Sequence, residues 1–212
     1  MSRLEWNEDK LERQIRFGVA RGLTNVAKRA VEDVTAELPS VFDRPTPFTM
    51  RAIGSSWATK ETLVSTVFVK REQLEYLGLE IEGGERRPEP GKPVNVPGQQ
   101  ASLNAYGNLP RRAIKRYIGQ KNTFVADGKG KEAHLKPGVY RRSKAGARKA
   151  GGRGTKGSLN ASTSSLTLLV GFKPEAVYAP RFDFVGIVER SVARNLEREL
   201  DAAVGQALAT AR

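Results

Sequence analysis

The chain has 212 residues with 36 Lys+Arg, 23 Asp+Glu, one His and no Cys, for a formal charge of +13. That length supports a hydrophobic core without a staple, and the missing cysteines exclude disulfides, thiolate metal sites and cysteine nucleophiles. A lone His134 excludes His-rich metal sites, no apolar run approaches the ~18 residues of a membrane span, and residues 1–6 lack a signal-like apolar segment, so a soluble protein used without export is expected.

Residues 7–38 read as one long helix. Leu11, Ile15, Val19, Leu23, Val26, Ala30 and Val34 recur three or four apart on one stripe. Pro39 is expected to close it. Gly18 and Gly22, four apart, either admit another backbone or merely weaken the helix. Residues 40–49 read as an extended connector around Pro45 and Pro47. Strands are expected over 50–57 and 63–70, the second rich in β-branched residues, joined by a hairpin connection. Residues 71–77 read as a short helical turn. Leu79-Glu80-Ile81-Glu82 alternates like a strand, and Gly83-Gly84 stops it.

Residues 85–110 lack periodicity and hold several Pro and Gly, an extended excursion. Pro110 to Ile118 reads as a short basic helix, with Arg111, Arg112, Lys115 and Arg116 on one side and Ile114 and Ile118 on another. Strands follow over 122–126 and 138–142. Residues 143–163 are glycine-rich, with five Lys/Arg and almost no bulky apolar side chain. Such a segment cannot repay its ordering entropy by burial, so it is expected to be flexible until a partner orders it. A strand over 164–172 and a helix over 187–211, with Val188, Val192, Leu196, Leu200, Val204 and Leu208 four apart, complete the chain. The expected fold is α+β: a single domain over 1–212, with a small antiparallel sheet packed by long N-terminal and C-terminal helices and extended loop excursions.

The charge is unevenly spread. Residues 1–85 carry 12 basic and 14 acidic side chains, residues 86–160 carry 18 and 3, and residues 161–212 carry 6 and 6. A polycationic middle attracts a polyanion. Nucleic acid and an acidic protein surface both satisfy that, and an anionic membrane fits less well without an amphipathic apolar face. Tyr106, Tyr117, Phe124 and Tyr140 lie near basic residues, but residues 143–163 hold no aromatic. That argues for contact to phosphate or acidic protein and against base readout.

Catalytic patterns are absent. Gly146 to Gly152 has the glycine spacing of a phosphate loop, but Gly152 stands where the lysine is needed. A metal-dependent nuclease would have to use Glu80 and Glu82 on one strand face with Asp43, and alternate charges on a strand are usually its solvent face. No enzyme activity, cofactor or metal is expected.

Several stretches read together resemble the minor tail protein Z family of tailed bacteriophages, the tail completion proteins of long non-contractile tails. They are Asp43-Arg44-Pro45-Thr46-Pro47-Phe48-Thr49 after the first helix, Thr59-Lys60, Tyr76-Leu77 and Ile81-Glu82-Gly83-Gly84-Glu85-Arg86. Val96-Pro97-Gly98, Asn104-Ala105-Tyr106-Gly107-Asn108-Leu109-Pro110 and the spaced Tyr178, Pro180 and Phe182 continue the order. The resemblance covers roughly residues 10 to 210 and has no counterpart for 143–163. It implies a structural protein of the virion neck, in host cytoplasm during assembly. Such a protein would form a homo-oligomeric ring, with six or twelve copies by analogy. Its neighbours would be a tail terminator or tail tube protein on one side and head connector proteins on the other, with genomic DNA in the channel and no membrane. Partner contacts are then expected at Arg44, Pro45, Pro47, Phe48, Tyr106, Asn108 and Leu109. Arg141, Arg142, Lys144, Arg148, Lys149, Arg153 and Lys156 are expected to face DNA or an acidic partner. The alternative is a basic nucleic-acid-binding accessory protein with no place in a virion.

Overall fold

The computed structural model describes residues 8–88, 92–142 and 166–210. In chain order the elements are α1 (Glu8–Val41), α2 (Pro47–Met50), β1 (Ile53–Ser55), β2 (Val67–Val69), α3 (Arg71–Glu82), β3 (Gly84–Arg86), β4 (Val94–Pro97), α4 (Ala113–Ile118), β5 (Thr123–Ala126), β6 (Gly138–Arg142), β7 (Leu166–Lys173), β8 (Ala176–Tyr178) and α5 (Phe184–Ala209). This is an α+β chain with long first and last helices and small antiparallel sheets. The sequence suggests one domain with an excursion over 85–110. The structure instead divides into two compact units, residues 1–84 with 178–212 and residues 85–177. The stretch read as an excursion opens the second unit and supplies β4 to its sheet.

The first unit is built on α1 against α5. The two helices run antiparallel, as shown by ion pairs Arg29–Glu199 and Asp33–Arg194, each at 3.6 Å. At their closest approach, an added Cβ on Gly18 would lie 2.8 Å from Val204 Cα, and one on Gly22 would lie 3.0 Å from Leu200 Cα. Of the two readings of these glycines, the structure selects backbone approach. This also rotates the buried stripes away from the expected ones. On α5 the buried residues are Ser191, Asn195, Ala203 and Ala207, and Ile15 of α1 is largely exposed. Small side chains occupy the seam where the axes are closest, and the larger ones pack along its flanks. Buried Asn195 donates from Nδ2 to the Ser191 carbonyl at 2.9 Å and accepts from Arg198 at 2.9 Å, which satisfies both ends of its amide.

Three local expectations change. The first helix passes Pro39 and ends at Val41. A proline in the last turn removes only one ladder bond, and Phe42 N–H still reaches the Leu38 carbonyl at 2.9 Å. Residues 47–50 form a helical turn, with Pro47 at its start and Thr46 Oγ1 accepting from Thr49 N–H at 3.2 Å. Residues 71–82 form one helix, α3, and the strand expected over 79–82 is absent. Burial decides it: Gln73, Leu77 and Glu80 fall on one helical face, and Gly83, at φ 79°, ends the helix. Around that face, Val34, Leu38, Ala52, Ile53, Leu77 and Phe182 make the core, with Phe42 edge-on to Phe182 at 5.8 Å.

Glu80 is therefore a structural residue. It is 8% exposed. Arg181 Nη2 donates to Glu80 Oε1 at 3.0 Å, and Arg181 Nε donates to Oε2. The Glu80 carbonyl accepts from Arg181 and Phe182 N–H at 2.8 and 2.9 Å. The guanidinium also stands 5.0 Å over Phe42. Hydrogen bonding to Glu80 raises the Arg181 pKa above its ordinary value. A raised base contributes stability that is complete below its unfolded-state pKa and is lost only as pH rises through the folded value, so the pair holds throughout the neutral range. Arg181→Leu should lower the urea unfolding free energy by about 2 kcal/mol, less than a fully buried pair because half the Arg181 side chain is solvated. Glu80→Gln, which keeps an acceptor, should cost clearly less. Equal stability of Arg181→Leu and the parent would show that the pair holds nothing.

The second unit is a four-stranded antiparallel sheet in the order β4-β7-β6-β5, with α4 on one face. A register shift lies at Val139/Tyr140, where Val139 pairs with Val170 and Tyr140 with Leu168. The extra residue, Leu169, breaks the alternation, so Leu169 and Val170 both enter the core with Val139, Ala113 and Tyr117. The inward face of α4 is thus Ala113 and Tyr117. Ile118, expected inside, is half exposed.

Candidate polyanion-binding surface

The unit boundaries coincide with a change in charge. The first unit holds 17 Lys+Arg against 18 Asp+Glu, and the second holds 19 against 5, net +14. The two also differ in how cations are satisfied. In the first unit Arg16, Arg29, Arg44, Arg181, Arg190, Arg194 and Arg198 all contact carboxylates. In the second, Arg87 contacts Glu85 at 2.7 Å and Glu175 at 3.7 Å. Among the described residues, Arg111, Arg112, Lys115, Arg116, Lys121, Arg141 and Arg142 make no ion pair. Their charge is left for an external anion.

Helix α4 arranges four of these cations. Arg112, Lys115 and Arg116 are three and four apart and share the exposed side opposite Ala113 and Tyr117, with Arg111 just before them. Arg112 sits at the N-cap with φ 65°, a left-handed conformation that a non-glycine residue adopts at a cost of about 1 kcal/mol. Asn108, Leu109, Arg112 and Ala113 line a cleft of about 390 Å³ with Asn95 and Pro97.

Arg141 and Arg142, consecutive on β6, point to opposite faces of the sheet. Arg141 donates to Gln100 Oε1 at 2.8 Å. Arg142 stands 4.6 Å over Phe124, which stacks on Tyr140 at 5.8 Å and 22°. The structure therefore does not gather the two on one surface. It also occupies the rings that a single-stranded nucleic acid would use. Tyr117 is buried, and its hydroxyl accepts from Ser102 N–H at 2.7 Å. Burial pushes the Tyr117 phenol up, and hydrogen bonds with Ser102 and Arg116 pull it further down, so its pKa is lowered. Phe124 is covered by Arg142 and Tyr140. Such a surface can neutralise phosphates but offers few faces for base stacking.

Lys144, Arg148, Lys149, Arg153 and Lys156 lie outside the described residues. The expected partner contacts fall in two places. Arg44, at φ 50° and paired with Asp43, Pro45, Pro47 and the exposed ring of Phe48 follow one another at the α2 turn of the first unit. Tyr106, Asn108 and Leu109 belong to a loop of the second unit. There Asn104 Oδ1 accepts from Tyr106 and Asn108 N–H, each at 3.0 Å, and Leu109 packs on the core. His134 is exposed.

No known relative emerges. No protein-family model, curated protein or solved structure matches the chain. No described helix is long and apolar enough to cross a membrane.

Proposed function

We propose that the chain is a structural protein of a bacteriophage head–tail joint, a tail completion or neck component that assembles as a ring around the DNA channel. The resemblance of its Gly/Pro/aromatic landmarks to the minor tail protein Z family supplies the class. The observation that carries the reading is the division of labour between units. One unit is electrostatically self-satisfied and keeps exposed aromatic side chains for protein contacts. The other carries net +14 with its described cations largely unpaired, as a wall beside packaged DNA or an acidic neighbour requires.

The same unpaired cations favour a second reading, a nucleic-acid-binding accessory protein outside the virion. Quantitative mass spectrometry of density-banded, nuclease-treated particles from the culture that carries the gene separates the two. A small fixed copy number relative to a tail-tube protein is the expected result. Absence from clean particles would reject the neck reading and leave the accessory protein.

A further inference from the structure

A groove in the first unit runs along α1 beneath the β1–β2 connection, with a volume of about 730 Å³. Trp57 and Phe17 border it, 77% and 41% exposed. Trp57 is held on an ordered loop. Ala58 N–H donates to Thr24 Oγ1 at 3.0 Å, Arg16 reaches the Lys60 carbonyl at 3.4 Å, and the Lys60 ammonium stands 5.2 Å over Phe17. A pre-ordered, solvent-facing Trp is the usual form of an interface anchor. The floor carries Arg21 and Lys28, which make no ion pair among the described residues. The one carboxylate there, Glu61, is hydrogen-bonded by Thr59, which holds its pKa below the usual range.

A complementary surface lies elsewhere in the same unit. The outer face of α3, opposite buried Gln73, Leu77 and Glu80, presents Leu74, Glu75, Gly78 and Glu82. Leu74 is 50% exposed, and Glu75 and Glu82 make no ion pair among the described residues. The spacing matches as well. Arg21 and Lys28 are seven residues apart on one helix and Glu75 and Glu82 seven apart on another, each pair separated by about 10.5 Å of helical rise. Gly78, between the two carboxylates, leaves a flat spot with only Leu74 beside it.

We propose that this groove receives α3 of a second copy of the chain. Leu74 packs beside Trp57 and Phe17, the Trp57 ring lies over Gly78, and Glu75 and Glu82 meet Arg21 and Lys28. Groove and helix face are different surfaces, so the contact is head-to-tail and propagates until rotation closes it. It deepens the ring reading and rests on that reading only for closure.

Sedimentation velocity on the full chain across a concentration series tests it. The parent is expected to self-associate at low salt and to dissociate near 1 M salt, where the screening length falls to ~3 Å. Trp57→Ala should weaken association roughly thirtyfold or more. Arg21→Glu/Lys28→Glu and Glu75→Lys/Glu82→Lys should each be folded monomers by circular dichroism. Mixed one to one, they should give at least heterodimers, because each retains one intact surface. A parent that stays monomeric, a reversal variant that associates like the parent, or a mixture that stays monomeric would each overturn the proposal. The readout needs no virion, so it can fail while copies are found in particles, or succeed while none are.

Discussion

Gly18→Leu is expected to cost at least about 3 kcal/mol of stability and to be the most damaging single change in the first unit. The side chain has nowhere to go. Its first carbon would already lie 2.8 Å from Val204 Cα and 3.2 Å from the Ala203 carbonyl oxygen, both backbone atoms that no rotamer can move. Relief requires α1 and α5 to separate, which would open the seam formed by Gly22, Ala203 and Ala207. Gly18→Ala isolates the same effect. In a free helix the change gains about 1 kcal/mol, but here the methyl must force the helices apart, so a net loss of about 1 to 2 kcal/mol is expected. Gly205 is the control. It lies in α5 with nothing within 4 Å of an added Cβ, so Gly205→Ala should stabilise by about 0.5 to 1 kcal/mol. Urea midpoints at unchanged slope read all three. Equal gains from Gly18→Ala and Gly205→Ala would show that the two backbones do not meet at Gly18.

These glycines also show where sequence reasoning ends. Their spacing is visible in the chain, but what faces them is not, because Val204 and Leu200 are more than 170 positions away. Periodicity locates both long helices within a few residues. It places their stripes on the bulky residues, while tertiary packing puts the small ones at the point of closest approach. Strands 123–126 and 138–142 are legible because their patterns are local. Helix α3 is not. Leu79 to Glu82 alternates like a strand, and the deciding fact is the burial of charged Glu80 against Arg181, 101 residues later. Charge is the most transferable signal. The basic excess marks the second unit without any knowledge of the fold, because net charge needs no geometry. Which cations are left without carboxylates does need geometry. So does the finding that Phe124 and Tyr140 spend their faces on Arg142 and each other.

That last point fixes how removal of the surface cations should read out. Arg111→Gln, Lys115→Gln, Arg116→Gln and Lys121→Gln, combined, remove four exposed charges without touching Ala113 or Tyr117, so the second core should survive. Each phosphate no longer neutralised lowers the slope of log affinity against log salt by about 0.9, so the slope for duplex DNA should fall by about 3 to 4. Affinity near 0.1 M salt should fall on the order of a thousandfold. The loss should be the same for every DNA sequence, since phosphates position and do not specify. A second variant, with Lys144, Arg148, Lys149, Arg153 and Lys156 changed to Gln, asks whether 143–163 acts independently. If both segments grip the same polyanion, the two slope changes should add and the combined variant should approach no salt dependence. A slope unchanged in the α4 variant would assign the electrostatics to 143–163 alone. A loss that depends on base sequence would mean that bases reach the rings that Arg142 and Tyr140 cover. If both variants bind DNA as the parent does yet fail to join heads to tails, the surface meets an acidic protein, and the DNA affinity of the free chain is incidental to its place in the neck.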